Sequence, residues 1–150
     1  MNIMHRDIKK ANILVGSDQK HKLKVWLADL GISSRLESKA ARRISSIGTP
    51  GYFPPEMIKK KPYGLPIDIW SLGVMMHSLL AISLPFHDKD KSSHKRRVCT
   101  EELDLDSVKI LDNVSVEAKD LLRGMLTKDP EMRLTIDQVA DHAWFKTQQK

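Results

Sequence analysis

Apolar residues fall along this chain in short, separate patterns, and each pattern predicts an element. Asn12 to Val15 and Leu23 to Leu27 are two brief apolar runs joined by the polar turn Gly16-Ser17-Asp18-Gln19-Lys20, which predicts a β-hairpin. From Ile32 to Pro55 the sequence turns to Ser, Arg, Lys, Gly and Pro, and predicts one long loop. Loops of that length inside a domain usually carry function. Ile67 to Leu84 is apolar almost all round, with Pro66 suited to the first turn of a helix. A helix of that kind belongs in the middle of a domain, covered by its neighbours. His87 to Asp112 is polar and basic and predicts no regular element. Ser115 reads as the N-cap of a further helix with apolar positions at Ala118, Leu121, Leu122 and Met125. Thr135 to Phe145 predicts a last helix, with Ile136, Val139, Ala140 and Trp144 turned inward. The expected architecture is a mainly helical unit with a small hairpin near its start.

Composition narrows the class without naming a function. The 150 residues are 41% hydrophobic and 29% charged, the balance of a globular domain with a core of its own. The longest apolar run, Ile69 to Met76, is interrupted by Ser71 and Gly73 and falls short of a membrane span. Met1 to Asp7 carries no apolar signal segment. A single cysteine, Cys99, forms no disulfide framework and no metal-binding spacing, which implies a reducing compartment: the cytoplasm, with the nucleus as the alternative. Asn113-Val114-Ser115 is a glycosylation sequon by chance alone on this reading. The net charge of +6 raises the question of nucleic acid. The basic clusters Lys59 to Lys61 and His94 to Arg97 lack interleaved aromatics, however, and read as a solvated face.

Chemistry enters with five short motifs in order. His5-Arg6-Asp7-Ile8-Lys9-Lys10-Ala11-Asn12 sets an asparagine five residues after an aspartate. Asp29-Leu30-Gly31 ends the second predicted strand, and Gly48-Thr49-Pro50-Gly51-Tyr52-Phe53-Pro54-Pro55-Glu56 closes the long loop. Asp68-Ile69-Trp70-Ser71-Leu72-Gly73 opens the apolar helix, and Asp129-Pro130-Glu131-Met132-Arg133 precedes the last one. Taken alone, Asp7 and Asp29 read as surface carboxylates or as the acid and base of a glycosidase. The order and spacing of the five motifs change that reading.

From Ile3 to about Phe145, the chain resembles the eukaryotic-type serine/threonine protein kinases. The resemblance implies an α+β protein-kinase-like fold. Residues 1–150 would be a partial kinase domain, a mainly α-helical C-terminal lobe with a small β-hairpin, running from catalytic loop to last helix. The activation segment would span residues 29–56. It implies Asp7 as the catalytic base, Lys9 against the γ-phosphate of ATP, and Asn12 and Asp29 as ligands of Mg2+. Lys9 and Thr49 both match positions that mark serine/threonine rather than tyrosine specificity. His5, Arg6, Asp68 and the Glu56–Arg133 pair take structural parts: His5 under the metal aspartate, Asp68 accepting backbone N–H groups, Glu56 and Arg133 anchoring the segment. Trp70 and Trp144 are expected in the core.

Regulation is expected in the long loop. Arg6 precedes the base, Ser45 lies three residues before Gly48, and a phosphate there would find arginine donors, with Arg35 a second candidate. Ser46 is the neighbouring candidate. The implied partners are protein substrates bearing serine or threonine and an upstream activating kinase, with no membrane and no nucleic acid. Leu30 replaces the usual phenylalanine of the metal motif, and Pro54-Pro55 replaces the usual pair before Glu56. The subgroup stays open between Ste20-like and calmodulin-dependent kinases. No glycine-rich loop and no phosphate-clamping lysine with its partnering glutamate occur in these residues. The N-terminal lobe is therefore absent from them, the core is expected to lie open around Ile69, Leu72 and Met76, and the chain alone is expected not to turn over ATP. The reading from another class is a non-catalytic kinase-like remnant that serves as a protein-binding module.

Overall fold

The computed structural model describes residues 2–147. Four short strands come first: β1 (Ile3–Met4), β2 (Ile13–Ser17), β3 (Leu23–Leu27) and β4 (Ser34–Arg35). Six helices follow: α1 (Pro55–Ile58), α2 (Pro66–Leu80), α3 (Lys91–Thr100), α4 (Val116–Met125), α5 (Ile136–Ala140) and α6 (Ala143–Thr147). The protein is a mixed, mainly helical unit with two small antiparallel sheets.

The hairpin is β2 and β3, in register from Ile13 opposite Leu27 to Ser17 opposite Leu23. Asn12 lies one residue before it, in a 3-10 turn over Lys10–Asn12, so the strand starts later than the apolar run suggested. Leu14, Val15, Leu23, Val25 and Trp26 of this hairpin are exposed on both faces. The second sheet was not legible in sequence, because it pairs two residues with two: Ile3 with Arg35 and Met4 with Ser34.

Pro66 begins α2, where a missing N–H costs nothing, and the helix buries Ile67, Ile69, Trp70 and Val74. It stops at Leu80 and not at Leu84. Ile82 turns into the left-handed region at φ 59°, and Pro85 disfavours helix at Leu84. Ile69 is only 7% exposed, so the open face expected there is closed at that residue, while Leu72 and Met76 are only partly buried against the same core. Gly73 lets α2 approach α4 closely, since a Cβ there would stand 2.9 Å from that of Met125. Ala118, Leu121, Leu122 and Met125 face that contact from α4, which Ser115 caps through the Ala118 N–H. On α2, burial keeps the His77 ring below its ordinary pKa, and its Nδ1 lies 2.9 Å from the Ser83 carbonyl.

The stretch read as irregular contains α3, with only Val98 buried. Polar devices hold it: Asp90 accepts the Ser93 N–H at 2.6 Å, and the Lys128 ammonium donates to the Val98 carbonyl at 2.9 Å. The last predicted helix is two. A capping box of Thr135 and Gln138 starts α5, which ends at Asp141 before α6 begins. Val139 is buried and Trp144 packs on the core, but Ile136 is 61% exposed and Ala140 is exposed too. Five residues make little more than one turn, too short to bury all of one face.

A second, smaller core takes in Met4 of the β1–β4 sheet. Met4, Leu36, Met57, Tyr63 and Ile67 form it, tying β1, the chain after β4, α1 and the start of α2 together. No helix among the described residues is long and apolar enough to cross a membrane.

Candidate active site

Chain geometry around Met4 to Asp7 is set from a distance. Asp68, in the first turn of α2, accepts the His5 N–H at 2.7 Å and the Arg6 N–H at 2.9 Å. Burial raises the Asp68 carboxyl above its usual range, while these two N–H groups and the nearby charges of His5 and Arg6 pull against that. Arg6 is left-handed, at φ 69°, and its Nε and NH2 donate to the carbonyls of Ile32 and Ser33. Backbone in that region costs a non-glycine residue of order 1–3 kcal/mol, and such residues gather at functional sites.

The result is that Asp7 sits at a junction of donors. Its Oδ2 meets the Lys9 ammonium at 2.7 Å and the Asn12 amide at 3.2 Å, and its Oδ1 accepts from the Thr49 hydroxyl at 2.7 Å. Lys9 also donates to Thr49 Oγ1 at 3.0 Å, closing a triangle. Burial pushes the Asp7 carboxyl up, but the bonds from Lys9, Thr49 and Asn12 outweigh it and hold the group below the usual carboxylate range. Asp7 is ionised at neutral pH. A second bond from Asn12 Nδ2, to the Asp7 carbonyl at 2.9 Å, fixes its amide and turns the carbonyl oxygen away from Asp7.

Asp29 reaches this place through its neighbour. The Ala28 N–H donates to the Asn12 carbonyl at 2.8 Å, and His5 Nε2 lies 3.0 Å from the Ala28 carbonyl. Asp29 is itself left-handed at φ 65°, exposed, and takes the Gly31 N–H on Oδ1 at 3.1 Å. The described residues contain no cluster of three or more acidic, histidine or cysteine side chains able to hold a metal by itself. A carboxylate and an amide oxygen are hard donors, and magnesium is commonly held by one or two such groups together with phosphate oxygens. The donor set fits a phosphate-bound magnesium.

The segment that brings in Thr49 is anchored on both sides. Gly48 has φ 118°, and a Cβ there would overlap the Arg6 carbonyl, so only glycine lets the segment lie on the backbone at Arg6. Beyond a 3-10 turn at Pro50–Tyr52, Glu56 meets Arg133 in a two-pronged pair at 2.8 and 3.1 Å. Arg133 spends its other donors on the carbonyls of Thr127, Pro66 and Lys128. With Glu56 5% and Arg133 3% exposed, Glu56→Gln strands a buried cation and is expected to cost roughly 3–5 kcal/mol in urea unfolding. A loss below about 1 kcal/mol would show that the pair does not anchor the segment.

Upstream, Ser45 bonds the hydroxyl of buried Tyr63, and Arg43 and Tyr63 exchange backbone bonds at 2.8 and 2.9 Å. Ser46 is exposed. Neither serine bonds Arg6 or Arg35: Arg6 is occupied by Ile32 and Ser33, and the Arg35 carbonyl accepts from Arg43. Tyr63 was not found by sequence reasoning. A lone aromatic between Pro62 and Gly64 carries no period, and its role exists only because Arg43 comes to lie beside it. A family model described as protein kinase domain matches residues 1–145.

Proposed function

The chain belongs to the protein kinase family, and on that premise we propose that it is the catalytic C-terminal lobe of a serine/threonine kinase. Residues 1–150 are then a partial kinase domain with its activation segment at 29–56. The family transfers phosphate to proteins; the substrate hydroxyl here is that of serine or threonine. The observation that carries this reading is the triangle of Asp7, Lys9 and Thr49, with Asn12 bonded to Asp7 and Asp29 tethered to Asn12 through the Ala28 N–H.

In this reading, a substrate hydroxyl takes up a hydrogen bond to Asp7, the ionised carboxylate, which aligns its oxygen and accepts its proton. Lys9, already on Asp7, offers its charge to the oxygens of the transferring group. Asn12 and Asp29 would hold magnesium, which would supply positive charge to the phosphate oxygens of ATP. Thr49 holds the far oxygen of Asp7 and forms the wall against which the substrate backbone lies. A short serine or threonine side chain suits a base so closely hemmed in. Groups that would grip the adenine and the α-phosphate are not among these residues, so they alone are not expected to turn over ATP.

Activation rests on Ser45. Its phosphate requires the serine to leave Tyr63, which frees the segment before Gly48; Arg6 becomes a donor to it once its bonds to the Ile32 and Ser33 carbonyls yield, and the Arg35 guanidinium is the second donor. The test is one experiment on the kinase in its full-length context: peptides identical but for Ser, Thr or Tyr, labelled ATP, and phosphopeptide mapping of the active enzyme. Serine and threonine peptides label, the tyrosine peptide does not, and Ser45 carries phosphate. A preference for tyrosine would remove the specificity assignment. Full activity with Ser45 and Ser46 both unmodified would remove the regulatory one.

A further inference from the structure

Two basic stretches that lie far apart in sequence, 59–61 and 91–96, meet on one surface. Ile58, the last residue of α1, and Val98 of α3 pack into the same core, which sets the three lysines after α1 beside the basic helix. Lys91, Lys95 and Cys99 recur every four residues on one stripe of α3. Lys128, whose ammonium burial holds below the usual lysine range, lies within electrostatic reach of both Lys59 and Cys99. The end of α1 and that stripe therefore converge around one point.

This ridge is not the by-product of an ordinary amphipathic helix. α3 buries only Val98 and is held by a cap and by Lys128, so its cations are not the outer face of a buried stripe. Lys59, Lys60, Lys61, Lys91 and Lys95 are all exposed, and none of their ammonium groups has a hydrogen bond or ion pair. On α3's C-terminal flank Glu101 pairs with Arg97 at 2.7 Å and more loosely with Arg96 at 3.8 Å, and Glu102 faces Lys128 rather than these five lysines. Lys60 closes α1 in the left-handed region at φ 54°, where glycine is the unstrained choice. Repelling charges held together at a conformational cost call for an anion to cover them.

We propose that this ridge docks an Asp/Glu-rich segment of a protein partner. Residues 59–61 and 91–96 include no Phe, Tyr, Trp or large aliphatic side chain, and the one ring among them, His94, is half-buried with its Nδ1 3.0 Å from the Phe86 carbonyl, which favours an acidic peptide over nucleic acid or membrane. Along the chain, Lys59 to Lys61 follow the segment that carries Thr49 to Asp7, with α1 between them. Resting on the kinase reading, this makes the partner a substrate with an acidic stretch displaced from its phosphorylated hydroxyl.

The test is the binding of a fluorescein-labelled Asp/Glu peptide by anisotropy over a salt series, which needs no phosphoryl transfer. Triple Lys59→Glu/Lys60→Glu/Lys61→Glu and double Lys91→Glu/Lys95→Glu variants each weaken binding by about tenfold or more at low salt. The control Lys20→Glu/Lys22→Glu/Lys24→Glu on the hairpin, and Asp7→Ala, leave it unchanged. Lysine-to-glutamine versions serve where a reversal alters the melting curve. Equal loss in the hairpin control, or no loss in either ridge variant, overturns the proposal. So does tighter binding of single-stranded DNA or phosphatidylserine vesicles through the same lysines. Failure here leaves the role of Asp7 intact, and loss of peptide phosphorylation without loss of binding leaves the ridge intact.

Discussion

Asp7→Ala is expected to lower phosphorylation of a serine peptide by about 10²–10⁴-fold in a full-length kinase context, the usual worth of a general base. The reason lies in what converges on this carboxylate. Lys9, Thr49 and Asn12 all donate to it, hold it ionised, and aim it at one place. Alanine removes the acceptor that orients the hydroxyl, and it releases Lys9 and Thr49 from their shared partner. The loss falls on kcat, because Asp7 makes its contact with the attacking oxygen and not with the nucleotide. Asp7→Asn keeps one of the two acceptor oxygens, for Thr49 or for Lys9, fills the same volume and offers no base, so it should lose nearly as much rate. Near-normal turnover by either variant, in a preparation free of contaminating kinase, would contradict the assignment.

Much of this site was legible because its chemistry depends on residue type at fixed spacing. An asparagine five residues after an aspartate, and a second aspartate at a strand end, can be read from letters alone. What letters do not carry is the tether between them. Asp29 reaches Asn12 through backbone bonds of Ala28, and Asp68 shapes the loop from more than sixty residues away, 63 from His5. The same holds for Ser45. Proximity to Gly48 in sequence gave no sign that Ser45 would lie against Tyr63, or that Arg6 would be occupied by two carbonyls.

The fold divides along similar lines. α2 and α4 were legible since burial writes a period or a continuous apolar run into a helix. α3 was not, since caps and a lysine from elsewhere hold it with one buried residue. The break between α5 and α6 went unseen because Ile136 and Ala140 have a helical spacing that matches an inward face, yet both lie exposed. Their apolar character is not matched by burial.

In the proposed mechanism Asn12 and Asp29 would hold the magnesium that phosphoryl transfer needs, while Asp7 acts on the substrate hydroxyl. The direct measurement is the initial rate of γ-phosphate transfer to a serine peptide as magnesium is titrated, for the parent kinase and for Asp29→Asn. Asp29 lends no donor to the Asp7 triangle, and its exposed carboxylate bonds only the Gly31 N–H, so asparagine removes charge without disturbing the base. The parent rate should rise with magnesium and saturate. Asp29→Asn should lose at least as much rate as Asp7→Ala, about 10²-fold or more, and recover little at high magnesium. Transfer at the parent rate by Asp29→Asn, with the parent's magnesium dependence, would contradict the account.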